Sequence, residues 1–239
     1  MPAHALHIHH ATLRRGAATV LQDLDLQLPE HRIGLIGDNG AGKSSLFRLL
    51  AGLDTAQQGE VRVRGLLAQQ VSAQRPGLVG MMFQNPDEQI IFPTVAEELA
   101  LGLAPRGLAR RAAQAQACDF LASRGLAAWA ERSISALSQG QRQHVCWLAL
   151  QLAAPELLLL DEPFASLDLP GQARLARDIA AAPQQCLVST HLLDHVRGFG
   201  RVIWLDQGRV RADGPGAEVC AAYEADVATR VAAQALPVV

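Results

Sequence analysis

Apolar and polar positions along the 239 residues change period several times, and each change predicts an element. From Ala5 to Thr12 they alternate, with Leu6 and Ile8 on one face and His7 and His9 on the other, as in a half-buried strand. Ile33, Leu35 and Ile36 make a short apolar run of the strand type. Leu46, Phe47, Leu49 and Leu50 follow at helical spacing, and Gly52 supplies a stop. Val61–Arg64 alternates and suits an antiparallel strand. Residues 66–77 are polar and carry Pro and Gly, which predicts a loop. Gly80–Gln84 is a short apolar strand. From Asn85 to about Pro155 the pattern is helical. Thr94 and Glu97 form a capping box after Pro93, opening a helix through Leu103. Arg110–Ser123 is Ala-rich and ends near Gly125. Ser138 and Gln141 form a second capping box, opening a helix over Arg142–Ala154 that Pro155 stops. Leu157–Leu160 and Cys186–Thr190 are continuous apolar runs of the parallel-sheet kind. Between them, Leu169–Ala182 reads as a helix with Asp168 as N-cap. Val202–Leu205 and Arg209–Ala212 flank Asp206-Gln207-Gly208, a hairpin turn.

Strands, an inserted helical region, then strands alternating with helices define an α/β fold. The expected core is a mixed, mainly parallel sheet with an antiparallel β subdomain, over about 1–84 and 156–220. A helical subdomain is inserted at about 85–155, and a short helical tail spans about 217–239.

Composition narrows the class. Apolar residues make up 49%, enough for a real core, and 21 Lys+Arg against 23 Asp+Glu leave a net charge of −2. That balance gives no support for a nucleic-acid partner. No apolar run approaches the ~20 residues of a membrane span. The first ten residues lack a basic stretch followed by an apolar core, so no secretory signal is expected. Cys118, Cys146, Cys186 and Cys220 lack CxxC spacing and read as buried thiols of a reducing compartment. His4, His7, His9 and His10 could form a metal patch; the alternation favours a solvated strand face.

The candidate chemistry begins at residues 37–44, Gly-Asp-Asn-Gly-Ala-Gly-Lys-Ser, which fit the phosphate-cradling pattern G-x-x-x-x-G-K-[ST]. The octet lies between a strand and a helix, where backbone N–H groups and the helix N-terminus can face phosphate oxygens. Lys43 would reach the β- and γ-phosphates and Ser44 would bind Mg²⁺. Asp161 ends the Leu157–Leu160 strand and is placed to hold Mg²⁺, because sites of open parallel sheets lie at that edge. Glu162 can accept a proton from an attacking water. Ser138 begins a helix whose N-terminus is a second anion site. Two such sites serve one γ-phosphate only if they face each other, which two copies arranged head to tail achieve.

With these motifs in order the chain resembles the ATPase subunits of ATP-binding cassette transporters, whose core is the P-loop NTPase fold, over nearly its whole length. The order is the Walker A loop at 37–44, a Q-loop at Gln84, the signature Leu137-Ser-Gln-Gly-Gln141, Walker B at 157–162, a D-loop at Ala165–Asp168 and a switch histidine at His191. The signature departs from the usual pattern at Gln139, where Gly is common. The resemblance implies that Gly37, Asn39, Gly40, Ala41, Gly42, Lys43, Ser44 and Ser45 bind ATP. Ser138, Gly140, Gln141 and Asp168 would act in trans on the nucleotide of a second, identical subunit. Ser44, Gln84 and Asp161 would hold Mg²⁺, and Glu162, His191 and Gln84 would serve hydrolysis. An aromatic residue usually covers adenine; here that slot falls at Arg15, whose guanidinium can stack on a base.

Residues 83–98, Phe-Gln-Asn-Pro-Asp-Glu-Gln-Ile-Ile-Phe-Pro-Thr-Val-Ala-Glu-Glu, resemble the energy-coupling-factor branch, which imports vitamins and transition metals. Gln89–Val95 is most like the ATPases of biotin uptake, with cobalt and nickel versions similar. The resemblance implies a seat on the cytoplasmic face of the cell membrane. There, residues 85–98 would meet a transmembrane coupling protein that works with a substrate-binding membrane protein. Ile90, Ile91 and Phe92 in a polar loop agree with a partner surface. The alternative is a soluble cassette ATPase acting on nucleic acid, ribosomes or cofactor assembly, a class that usually carries fused domains or tandem cassettes. A GTPase would need N-K-x-D, which is absent.

Overall fold

The structure, a computed structural model, describes residues 6–234. The chain divides into two units, one built from the residues up to Ala68 and from Leu187 onward, the other from Gln69–Cys186.

In the first unit, β1 (Leu6–Arg15), β2 (Ala18–Leu28), β4 (Gln58–Val63) and β5 (Leu66–Leu67) form a four-stranded sheet in the order β2-β1-β4-β5. The pairings are antiparallel. Leu6 and Ile8 are buried, His7 is half-buried and His9 is exposed, so the alternation holds until His10. There φ is +46° and the register shifts, a bulge that re-aims the strand. His9 and His10 pair with Asp25 and Asp23 on β2 as a solvated face. His4 lies outside the described residues.

A second set of strands carries the phosphate loop. β3 (Arg32–Ile36) pairs in parallel with β9 (Arg201–Asp206), and β9 pairs antiparallel with β10 (Arg209–Gly214). The turn between them has φ +46° at Gln207 and +76° at Gly208, as a tight hairpin needs. Helix α1 (Lys43–Leu50) follows β3 and buries Leu46, Phe47, Leu49 and Leu50. Gly52, at φ +71°, ends it.

In the second unit, β6 (Val79–Met82) and β7 (Leu157–Asp161) pair in parallel. Helices α3 (Val95–Leu101), α4 (Arg110–Ser123) and α5 (Gln139–Ala153) close on one apolar cluster that includes Val95, Leu99, Leu121, Val145 and Leu148. Each such side chain contributes about 1.5–3 kcal/mol of burial. Helix α6 (Leu169–Ala181) and strand β8 (Gln185–Ser189) come next in the chain.

Four local expectations are corrected. Residues 66–77 are not a loop: they form β5 and helix α2 (Ala68–Gln74). Only Ala68 and Val71 are buried on α2, too narrow a stripe to show as a period. The strand expected to reach Gln84 ends at Met82, because the next N–H, that of Phe83, goes to the Gln89 side chain at 3.1 Å. Helix α3 stops at Leu101, with Gly102 as C-cap. Its capping box does not close: the Thr94 hydroxyl donates to the Glu97 carboxylate at 2.8 Å rather than accepting from the backbone.

Candidate functional site

The phosphate loop is shaped by contacts within the first unit. Gly37 has φ +142°, and a Cβ there would stand 2.1 Å from the carbonyl oxygen of Leu205 on β9. Gly42 has φ +107°, and its Cβ would meet Leu21 Cδ2 at 2.7 Å. The Ala41 carbonyl accepts from Gly208 N–H at 3.0 Å, so the hairpin braces the loop. Lys43 is buried, and its ammonium donates to the carbonyls of Gly37 at 2.8 Å and Asp38 at 3.1 Å. Ser44 and Asn39 are exposed, whereas Ser45 is buried. No side chain caps α1, and the first N–H groups of a helix are the ones that an anion can satisfy.

The glycine geometry makes a stability prediction. Gly37→Ala combines strain with a backbone collision and should destabilise the chain by about 2 kcal/mol or more. Gly40→Ala meets nothing within 4 Å, although φ is +82°, and should lose only about 1 kcal/mol. Denaturant midpoints compare the two; equal shifts would contradict the role of the Leu205 carbonyl.

His191 follows β8 and is exposed, beside a wholly buried Thr190. The Thr190 N–H donates to Leu35 O at 3.2 Å, and its hydroxyl accepts from Leu192 N–H at 3.0 Å. The chain carrying His191 is thereby anchored beside β3. Arg15, at the end of β1, donates to Asp54 Oδ2 at 2.9 Å. Asp54 also takes two hydrogen bonds from Arg48, which, with Arg15, hold its carboxyl below the usual range.

In the second unit, Asp161 ends β7 and Glu162 follows it; they are only 4% and 7% exposed. Glu162 has φ +48°, a left-handed conformation that a non-glycine residue adopts at a cost of about 1–3 kcal/mol. Gln84 is exposed just beyond β6.

The signature is an N-terminus of α5. Ser138 Oγ accepts from Gln141 N–H at 3.3 Å, and Gln141 Oε1 accepts from Ser138 N–H at 3.0 Å, so this box closes as expected. A Cβ at Gly140 would lie 3.0 Å from Ser166 O, which brings the signature and D-loop together. Asp168 caps α6, accepting from Gly171 N–H at 2.9 Å. Both segments line one groove of about 670 Å³ with Trp129, His144 and Trp147.

Two features escaped sequence reasoning. Glu98, 5% exposed, accepts from the N–H groups of both Ile91 and Phe92 at 2.9 Å. It holds the loop so that Ile91 is 75% exposed. The tail is a 19-residue helix, α7 (Gly216–Gln234), with side chains on the phosphate loop. Its Ala-rich sequence carries no periodic signal for that contact. The cysteines are free; Cys146, Cys186 and Cys220 are buried and Cys118 half-buried. Burial pushes the Cys146 thiol up to about 12, so it is inert near neutral pH.

Residues 21–165 match the family model described as ABC transporter. The chain belongs to the ABC transporter family and is an ATP-hydrolysing cassette of it. It is 48% identical over 219 residues, 92% of this chain and 94% of the relative, to the biotin transport ATP-binding protein BioM of Rhodobacter capsulatus. It is 38% identical over 210 residues to the protein of the same name from Rhizobium etli, covering 87% and 92% of the two chains. Among solved structures it is similar to cbiO1 of Clostridium perfringens, part of the ABC transporter complex cbiONQ, with TM-score 0.76, 22% identity and 92% of each chain covered. The dimeric ATP-binding cassette MJ0796 with ADP and Pi gives TM-score 0.76 and 22% identity over 88% of this chain and 98% of that one. These likenesses establish the fold, a P-loop NTPase core. No helix among the described residues is long and apolar enough to cross a membrane.

Proposed function

We propose that this chain is the ATP-driven motor of an energy-coupling-factor importer, with biotin as the transported vitamin. The observation that carries the reading is the 48% identity with a biotin transport ATP-binding protein over 92% of this chain. The outward-held Ile91 supports the membrane-facing part of it.

ATP binds the loop amides from Gly37 to Ser45 through its phosphates, and Lys43 leaves its carbonyl partners for the β- and γ-phosphates. Arg15, its guanidinium fixed by Asp54, covers the adenine. Ser44, Gln84 and Asp161 are hard oxygen donors of the kind Mg²⁺ takes, and they are the residues that would hold it. When bound, such an ion would supply charge neutralisation to the phosphates. Glu162 takes a proton from the attacking water, and His191 orients Glu162. Ser138, Gly140 and Gln141 of a second copy present their helix N-terminus to the γ-phosphate, with Asp168 at the interface. Closure favours ATP over ADP, so hydrolysis releases the pair. Residues 85–98 pass the motion to a membrane coupling protein at the cytoplasmic face. Within the second unit, Asp87 forms an ion pair with Arg142 at 2.9 Å, and Arg142 donates to Leu137 O at 2.8 Å. This is a direct link from the coupling segment to the signature helix.

Ile91→Asp tests the partner surface. It puts a charge on an exposed side chain and should leave ATPase activity of the isolated chain within about twofold. Co-purification with the membrane subunits and biotin uptake should fall at least tenfold. Full assembly and uptake by this variant would remove Ile91 from the interface. Uptake of another vitamin or of a metal by the wild-type complex would replace biotin.

A further inference from the structure

Asp38, second residue of the phosphate loop, is held from the far end of the chain. Tyr223 OH donates to its Oδ1 at 2.6 Å. Arg230 donates through Nη1 to Oδ2 at 2.6 Å and through Nη2 to Oδ1 at 3.3 Å. Both donors lie on α7, two turns apart and therefore on one face. The arginine is itself fixed: its Nε donates to Asp226 Oδ2 at 2.8 Å, and Asp226 also receives Arg211 of β10. Tyr223 packs edge-on against Trp204, with centroids 5.3 Å apart at 80°. Trp204 is the β9 partner of Ile36, the last residue before the loop.

A carboxylate is the wrong charge beside a bound triphosphate, and Asp38 is close enough to Lys43 for the two charges to be felt. Its own backbone carbonyl is one of the two that hold Lys43. The arrangement therefore needs both a counter-charge and a fixed position for Asp38, and α7 supplies them. We propose that α7 sets the nucleotide affinity of the phosphate loop, with Arg230 and Tyr223 as positioning residues that neutralise and orient Asp38. This rests on residues 37–44 being the phosphate site for ATP. The hydrogen bonds from Arg230 and then Tyr223 hold the Asp38 carboxyl below its usual range. Burial first, then Asp38, pushes the Tyr223 hydroxyl up to about 12. Asp38 is thus a carboxylate and Tyr223 a donor throughout the neutral range.

The test uses the full chain. Arg230→Met should raise the Kd and KM for ATP about three- to tenfold, an effect that shrinks at high salt. kcat should stay within about twofold, because Arg230 touches no reacting atom. Arg230→Lys should recover part of the affinity. Adding Asp38→Asn to Arg230→Met should restore affinity close to wild type, since the uncompensated charge is then gone. Wild-type affinity in Arg230→Met overturns the proposal, and so does a double variant no better than the single one. If wild type itself binds no ATP, the phosphate-site reading falls and takes this proposal with it; an unchanged Arg230→Met beside a wild type that binds overturns the proposal alone.

Discussion

Replacing Glu162 with Gln should leave ATP binding intact, lower kcat by about 10²–10³-fold and trap a nucleotide-bound dimer. The size follows from what a positioned general base contributes to proton transfer. The substitution is isosteric, so the buried pocket and the left-handed backbone at φ +48° are undisturbed. An amide cannot accept the proton of the attacking water, yet it leaves the loop amides, Lys43 and Ser44 free to bind phosphate. A pair closed on ATP, as proposed above, would then lack the hydrolysis that parts it. Phosphate release gives the rate, and size exclusion with ATP gives the assembly. Normal turnover would show that another group takes the proton. Lost turnover without an ATP-dependent dimer would separate the base from the sandwich and refute the second.

Ser138→Arg carries the other large effect. The wild-type hydroxyl caps α5 through Gln141, and its removal alone costs about 1 kcal/mol of helix stability. The guanidinium does more, because a cation at a helix N-terminus opposes the dipole and fills the space a γ-phosphate would occupy. ATP binding to the isolated chain should be unchanged, since Lys43 and the loop amides are intact. Turnover should fall about 100-fold or more, the scale of losing a preorganised donor to a developing charge. Mixing supplies a sharper criterion. A Lys43→Ala chain has a spoiled loop and a sound signature, and the Ser138→Arg chain has the reverse. Head-to-tail pairing of equal amounts gives mixed dimers with one complete site each, so up to about a quarter of wild-type activity should return. Two inactive variants that stay inactive when mixed would count against sites shared between copies.

The distribution of what could be read follows from the range of the forces. The strand, glycine loop and helix over Ile33–Leu50, the capped α5 and the run ending at Asp161–Glu162 were legible because local periods and short-range hydrogen bonds encode them. The same locality misled at Thr94–Glu97, where the capping pattern is present but the hydroxyl donates to the carboxylate. Residues 66–77 were unreadable because α2 buries only Ala68 and Val71.

Residue order alone determined that this chain is an α/β nucleotide hydrolase of the cassette type, with its phosphate loop, its acidic pair and its signature helix. Tertiary structure decided why residue 37 must be glycine, through the carbonyl of Leu205 on a strand far along the chain. It also decided that Glu98 displays Ile91, and that Tyr223 and Arg230 grip Asp38. Contacts of that kind leave no periodic trace, because each depends on where folding brings two distant segments rather than on the spacing within either.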